Sequence, residues 1–305
     1  MKLLEFIYDN QKYAGFIQED YPDIINIISD KDDLYTIITS LINNNIPLTN
    51  LASRVTNTLL IADINNKLIF LPPMKPEEKL FSFVNGMGLT HKRIASIRYS
   101  SDNIPIQGEW FYKGNGTILK TTADSLYVPP NAYSCTEEAE IVLIYVIDAL
   151  SIPYRIGYTL GNDFSDPKMG KTNHAYFGQS KLRTCSIAPE IKVGEPPLEL
   201  IGNVIIKRNN EYVWRSQFVT GINNMLYSLE KIESLVFQHD QFLIPGMVHY
   251  LFLGADTTSY SHGIRLMDGD IIDISSSEFT FNLINHVNFA KNSIQKINIE
   301  SLSNF

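Results

Sequence analysis

The chain reads as an α+β protein dominated by strands, with a small N-terminal α/β domain over residues 1–75 and a larger strand-rich domain over residues 76–305. Three observations predict this. Short apolar runs suited to strands recur through most of the sequence, helical spacing is confined to two segments, and Pro72-Pro73-Met74-Lys75-Pro76 interrupts regular structure between the two parts.

In order, Leu3 to Tyr8 and Tyr13 to Gln18 form a predicted hairpin around Asp9-Asn10-Gln11. Asp32 to Ile42 is a predicted helix, since Leu34, Ile37, Ile38 and Leu41 fall on one stripe. Lys67 to Leu71 is a short strand. Beyond the proline break, strands are expected near Phe81 to Asn85, Thr117 to Lys120, Glu140 to Ile147 and Tyr154 to Thr159. Leu200 to Lys207 and Tyr212 to Gln217 read as a hairpin joined through Arg208-Asn209-Asn210, and Met247 to Leu253 alternates like a half-buried strand. Between them, Met225, Leu226, Leu229, Ile232 and Val236 predict a helix over Asn223 to Phe237. The polar tail from Asn292 to Phe305 is expected to be loosely ordered.

Bulk composition excludes several functions. With 44% hydrophobic and 19% charged residues, the 305-residue chain has the composition of a globular protein. A formal charge of -8 argues against a general nucleic-acid binder. No apolar run approaches a membrane span, and the first residues lack a signal peptide's apolar region, so a cytoplasmic protein is expected. Cys135 and Cys185 make neither a disulfide framework nor a zinc site of ordinary spacing.

The chemistry concentrates in Glu138-Ala139-Glu140 and the apolar run that follows it. Carboxylates at i and i+2 on a strand share a face. If Asp148 to Pro153 is a hairpin loop with Ile147 opposite Tyr154, the count along both arms puts Asp163 beside Glu138. Three such carboxylates repel one another unless a cation or bound protons compensate them. An all-oxygen cluster favours a hard divalent cation such as magnesium, calcium or manganese over zinc. Glu137 points to the opposite face and is left out of the set.

These residues also carry a resemblance. Glu-x-Glu, then Gly157 to Ser165, Gln179-Ser180-Lys181 and Ala188-Pro189 resemble the fumarylacetoacetate hydrolase superfamily. So do Gly86-Met87-Gly88-Leu89-Thr90-His91, Glu109-Trp110-Phe111-Tyr112-Lys113, Gly254-Ala255-Asp256-Thr257 and Met267 to Ile274, in the expected order over about Leu80 to Val287. The wording is most similar to a branch associated with bacterial sugar-acid catabolism. The resemblance implies a mixed β-roll or barrel behind the N-terminal domain, a homodimer, and magnesium on Glu138, Glu140 and Asp163. It further implies His91, Lys113 and Lys181 as catalytic residues, with Gly88, Gly254 and Thr257 contacting substrate. The expected reaction is dehydration of a 2-keto-3-deoxy sugar acid, a 2-oxo acid, through a metal-stabilised enolate. Carbon-carbon hydrolysis of a 1,3-diketo acid, decarboxylation, and sugar-acid binding without turnover remain alternatives.

Three departures from the family pattern bear on these roles. Gly88-Leu89 stands where many members have Asn-Tyr, Gly254-Ala255 lacks the threonine of the usual Gly-Thr, and the lid segment between His91 and Glu109 is short. His174 and Arg183 are near the site in sequence only, His249 is expected in the core or an interface, and Trp110, Tyr158 and Phe164 are expected to pack.

Overall fold

The computed structural model describes residues 1–64, 67–98, 100, 103–291 and 298–301. Most of the tail expected to be loosely ordered therefore lies outside the described residues. Among the described residues, no helix is long and apolar enough to cross a membrane.

The N-terminal part is a meander of β1 (Lys2–Tyr8), β2 (Gln11–Gln18) and β3 (Tyr21–Ser29), followed by α1 (Leu34–Asn43), β4 (Asn57–Leu60), the single turn α2 (Ile61–Ile64) and β5 (Ile69–Leu71). Asp9 and Asn10 both have positive φ, so the first hairpin closes on a two-residue turn whose twist matches its strands. Asp33 caps α1 by accepting from the Thr36 N–H at 2.8 Å, and the stripe Leu34, Ile37, Ile38 and Leu41 is buried as its spacing predicts.

Then come β6 (Ser82–Gly88), α3 (Lys92–Arg98), β7 (Glu109–Asn115), β8 (Leu119–Lys120), β9 (Ser125–Val128), β10 (Ala139–Ile147) and β11 (Pro153–Asn162). They are followed by α4 (Pro167–Thr172), α5 (Phe177–Lys181), β12 (Cys185–Ile187) and β13 (Glu190–Val193). The last elements are β14 (Leu200–Arg208), β15 (Glu211–Thr220), α6 (Leu229–Phe237), β16 (Val248–Phe252), β17 (Ile271–Ser276) and β18 (Leu283–Phe289). Asn209 and Asn210 repeat the two-residue turn of the first hairpin.

Among the described residues, one mixed sheet runs β4-β3-β2-β1-β13-β11-β10-β16-β6-β7, and a second runs β15-β14-β17-β18-β9. The fold class read from the sequence is the one observed. Because β1 pairs with β13, the first 75 residues extend the main sheet rather than forming a sheet of their own. A division near residue 75 is thus a proposal about folding units.

β10 is buried along its whole length because it feeds two cores. Ile141, Leu143 and Tyr145 face the second sheet and α6, where Val204, Ile206, Ile232 and Ile274 pack. Val142, Ile144 and Val146 face the other way, into the core that holds the buried stripe of α1. Period-two alternation here separates two apolar environments, so the strand reads as a continuous apolar run.

Two expectations are corrected. The helix read over Asn223 to Phe237 forms only as Leu229–Phe237, because Ser228 caps its start by accepting from the Lys231 N–H, while Ile222–Asn224 is a short 3-10 turn. Met225 instead lies opposite His91 in an antiparallel bridge, and the Leu226 N–H donates to the Thr90 carbonyl oxygen at 2.6 Å, a tertiary pairing that overrides helical spacing. The strand Val248–Phe252 is buried on both faces, because Val248, Tyr250 and Phe252 pack into one core and Leu251 into the other.

His249 on that strand is fully buried and donates through Nε2 to the Phe242 carbonyl oxygen at 2.7 Å. Burial lowers its pKa from 6.5 to about 4, with the Phe242 bond opposing. The unfolded chain thus takes up this proton first, so the stability His249 contributes is present above pH 6.5 and lost as pH falls toward 4. His249→Gln, which keeps a donor, is expected to lose less stability than the wild type between pH 6.5 and 4, measured by urea unfolding at each pH. Equal losses in the two proteins would remove His249 from the account.

Candidate metal centre

The site forms where β10 and β11 leave the core. Their pairing starts one residue away from the expected register, with Ile147 opposite Pro153, and a bulge between Ile144 and Tyr145 leaves Ile156 unpaired. Past the bulge Ile144 faces Gly157 and Ala139 faces Asn162, so the count is restored. The Asp163 N–H then donates to the Glu138 carbonyl oxygen at 2.9 Å.

Glu138, Glu140 and Asp163 converge so that one oxygen from each lies within 4.8 Å of the others. The backbone N–H of Gly254 holds Glu140 Oε2 at 2.7 Å. Gly254 has a φ of +82°, and an added Cβ would come 2.6 Å from Thr90 Oγ1, so this close approach requires glycine. Glu140 Oε1 is buried with no hydrogen-bond partner.

Two lysines compensate the cluster in part. Lys181 Nζ lies 2.7 Å from Glu138 Oε2 and 2.6 Å from Asp163 Oδ2, over the Phe111 ring at 4.6 Å. Lys113 is fully buried, 2.6 Å from Asp163 Oδ1, and donates to the carbonyl oxygens of Phe164 at 2.7 Å and Lys181 at 3.0 Å. Burial would raise Asp163, but Lys113 and Lys181 outweigh it and hold the carboxyl below its ordinary value. Glu138 is raised by burial against the opposing Lys181 charge. Glu140 is raised furthest, by burial and then by the Asp163 and Glu138 charges. Lys181, disfavoured by burial, is nonetheless pushed up by the Asp163, Glu138 and Glu140 carboxylates and stays cationic.

The residues fit a hard divalent cation. The donors are all oxygen, and the orphaned Glu140 Oε1 is a buried anionic acceptor whose need an ion would meet.

A cavity of about 710 Å3 opens at this cluster. Glu138, Lys181, Gly88, Gly254 and Thr257 stand on its wall. His91 and Lys113 do not line it. Lys113 lies behind Asp163, whereas the His91 ring is buried against Thr220, with Nε2 2.9 Å from Thr220 Oγ1, and burial lowers its pKa to about 4. The short segment after His91 folds as α3 and contributes Arg93, Ile94 and Ile97 to the wall, and Arg93 Nε donates to Asp256 Oδ1 at 2.7 Å.

Glu109 and His174 also line the cavity, and the sequence reading gave neither a role. The signal for Glu109 was available: period two on β7 puts Glu109, Phe111 and Lys113 on one face. His174 is brought in by the turn between α4 and α5, which no local pattern announces.

No family model matches the chain, and no curated protein matches it. Solved structures do. A 2-keto-3-deoxy-D-arabinonate dehydratase complexed with magnesium and 2,5-dioxopentanoate superposes with a TM-score of 0.72 at 19% identity, over 96% of this chain and 100% of that one. The chain has the fumarylacetoacetate hydrolase-like fold. Two isomerases share the fold at greater distance. 5-carboxymethyl-2-hydroxymuconate delta-isomerase from Mycobacterium smegmatis has a TM-score of 0.61 at 16% identity, over 95% of this chain and 100% of that one. 2-hydroxyhepta-2,4-diene-1,7-dioate isomerase from Mycobacterium marinum also has a TM-score of 0.61 at 16% identity, over 96% and 100%. The shared fold thus covers 96% of this chain.

Magnesium is expected to raise the melting temperature of the wild type and to leave Glu140→Gln unmoved, because the neutral amide is a poor ligand for a hard cation. Thermal scans with and without the ion check this, and equal shifts would exclude Glu140 as a ligand. Lys113→Met should cost about 3–5 kcal/mol of unfolding free energy, since it strands a buried carboxylate, and adding Asp163→Asn should restore part of the loss. Urea unfolding of the single and double variants measures both.

Proposed function

We propose that the chain is a divalent-cation-dependent enzyme that dehydrates a 2-keto-3-deoxy sugar acid. The observation that carries this reading is the convergence of three carboxylates and two lysines, of which Glu138 and Lys181 stand on the wall of a cavity of about 710 Å3. The likeness to a dehydratase holding magnesium and 2,5-dioxopentanoate supports it.

Charge counting is consistent with the proposal. Three carboxylates against two ammonium groups leave one negative charge, a divalent cation turns this into one positive charge, and a 2-oxo acid's carboxylate neutralises it. Glu138, Glu140 and Asp163 would hold the cation, with magnesium the best match to an all-oxygen set. When bound, the ion supplies Lewis acidity toward the carboxylate and keto oxygens of the substrate.

The chain's own residues do the remainder. Lys181, cationic and on the cavity wall, stabilises negative charge as it develops on the substrate's keto oxygen. Glu109 is the carboxylate placed to accept the C3 proton, because it lines the cavity and His91 does not. The C3–H electron pair enters the C2–C3 bond as an enolate with its charge on the keto oxygen, that charge then returns to form the C3–C4 double bond as the C4 hydroxyl leaves, and the hydroxyl takes the proton held by Glu109 and departs as water. Ile94 and Ile97 of α3 limit water at the cavity mouth. A cytoplasmic homodimer, implied by the resemblance, completes the proposal, and light scattering tests the dimer.

Incubating the protein with a 2-keto-3-deoxy pentonate and magnesium, followed by NMR, should show loss of the C4 hydroxyl, and a chelator should stop it. Cleavage of a 1,3-diketo acid or release of carbon dioxide from a 2-oxo acid, without dehydration, would replace the proposal by a hydrolase or a decarboxylase. Glu109→Gln should lower kcat by about 100-fold while magnesium binding persists, and His91→Ala should lower it less. The reverse order would return the proton transfer to His91.

A further inference from the structure

We propose that Glu137 is a positioning residue that fastens the hydroxyl-rich wall of the cavity, Thr257 to Ser261, to the strand bearing the metal ligands. Glu137 is fully buried. Its Oε1 accepts from the Ser259 N–H at 2.6 Å, and its Oε2 accepts from Ser259 Oγ at 2.7 Å and Thr136 Oγ1 at 2.9 Å. Thr136 Oγ1 also lies 3.2 Å from Ser259 Oγ and accepts a long bond from the Tyr260 N–H at 3.4 Å. Burying a carboxylate costs several kcal/mol unless donors replace water, and these donors come from the loop after β16 and from the residue before Glu137.

The position of Glu137 explains what this arrangement does. Glu137 and Glu138 lie just before β10 and send their side chains to different partners, Glu138 to the cation site and Glu137 to the loop. The loop is thus anchored one residue away from a residue of the cation site. That loop places Thr257, Thr258, Tyr260 and Ser261 on the cavity wall. The Thr258 and Ser261 hydroxyls are engaged within the loop's own turn, whereas Thr257 and Tyr260 hold no side-chain hydrogen bond among the described residues. Two hydroxyl-bearing residues on the wall of the cavity that opens at the cation site suit a 2-oxo acid that carries hydroxyls along its chain, rather than an unsubstituted one. This substrate preference rests on the proposed function; the fastening of the loop does not.

Glu137→Leu removes both bonds to Ser259, Ser259→Ala removes the hydroxyl bond and leaves the N–H bond, and Glu137→Gln keeps the acceptor for the Ser259 N–H. Hydrogen exchange without substrate is expected to show faster uptake in the peptide spanning residues 257–263 for Glu137→Leu and Ser259→Ala, and uptake near the wild type for Glu137→Gln. With a 2-keto-3-deoxy pentonate and magnesium, the same two variants should raise KM about tenfold, change kcat little, and keep magnesium affinity within about twofold, since one lost contact of about 1.4 kcal/mol is a factor of ten. Should Glu137→Leu fail to fold, Ser259→Ala decides alone. Unchanged exchange in the loop, or loss of magnesium affinity with KM unmoved, would overturn the proposal. If the wild type turns over no 2-oxo acid, the proposed function fails and the exchange comparison still decides the role of Glu137.

Discussion

Everything around the cavity depends on keeping three carboxylates buried together. Their mutual repulsion in a poorly solvated site is of the order that unfolds marginal proteins, so the chain surrounds them with fixed positive charge and donors. Lys113 and Lys181 reach Asp163 from two sides, and the Gly254 amide steadies Glu140. These groups come from β7, α5 and the segment after β16, so the cluster ties together distant parts of the chain. The compensation is incomplete, and Glu140 bears the deficit. A site left short of positive charge suits a cation, and relief of that deficit would contribute to the ion's binding energy.

Much of this was legible in the sequence because period-two chemistry is local. Glu138 and Glu140 share a face by spacing alone, and the placement of Asp163 beside Glu138 followed from counting along one hairpin. The stripe of α1 and the asparagine turns were equally readable. What was not legible involves partners far away in sequence. Nothing near His91 announces that its ring packs against Thr220, and nothing near Met225 shows that strand-like pairing will displace a helix. Met247 to Leu253 looked half-buried because polar and apolar residues alternate there, yet His249 and Tyr250 are fully enclosed, with His249 Nε2 bonded to Phe242 and Tyr250 to Pro73. Glu109 is the instructive omission, since the alternation that placed Lys113 also places Glu109 on the same face.

The contrast between Lys113 and Lys181 shows how one residue type divides its work by depth. Both contact Asp163, but Lys181 sits on the cavity wall and Lys113 is enclosed, bonded to two main-chain carbonyls as well as to the carboxylate. An ammonium group with its donors spent on fixed partners serves to orient, whereas one that faces the cavity can respond to a ligand. The bond from Lys113 to the Lys181 carbonyl joins the two roles, because it fixes the main chain from which Lys181 reaches.

The bulge in the central hairpin gives the site a degree of independence from the rest of its own sheet. Between the turn and Ile156 the two strands pair in one register, and between Ile156 and the carboxylates they pair in another. A residue gained or lost in the surface turn at Asp148 to Ile152 can therefore be taken up at the bulge, by creating or erasing a single unpaired position, before it reaches Glu138 and Asp163. The joint works like a slip coupling in a drive shaft: the outer end of the hairpin is free to vary over evolutionary time while the inner end, where oxygen atoms must meet within a few ångströms, keeps its alignment.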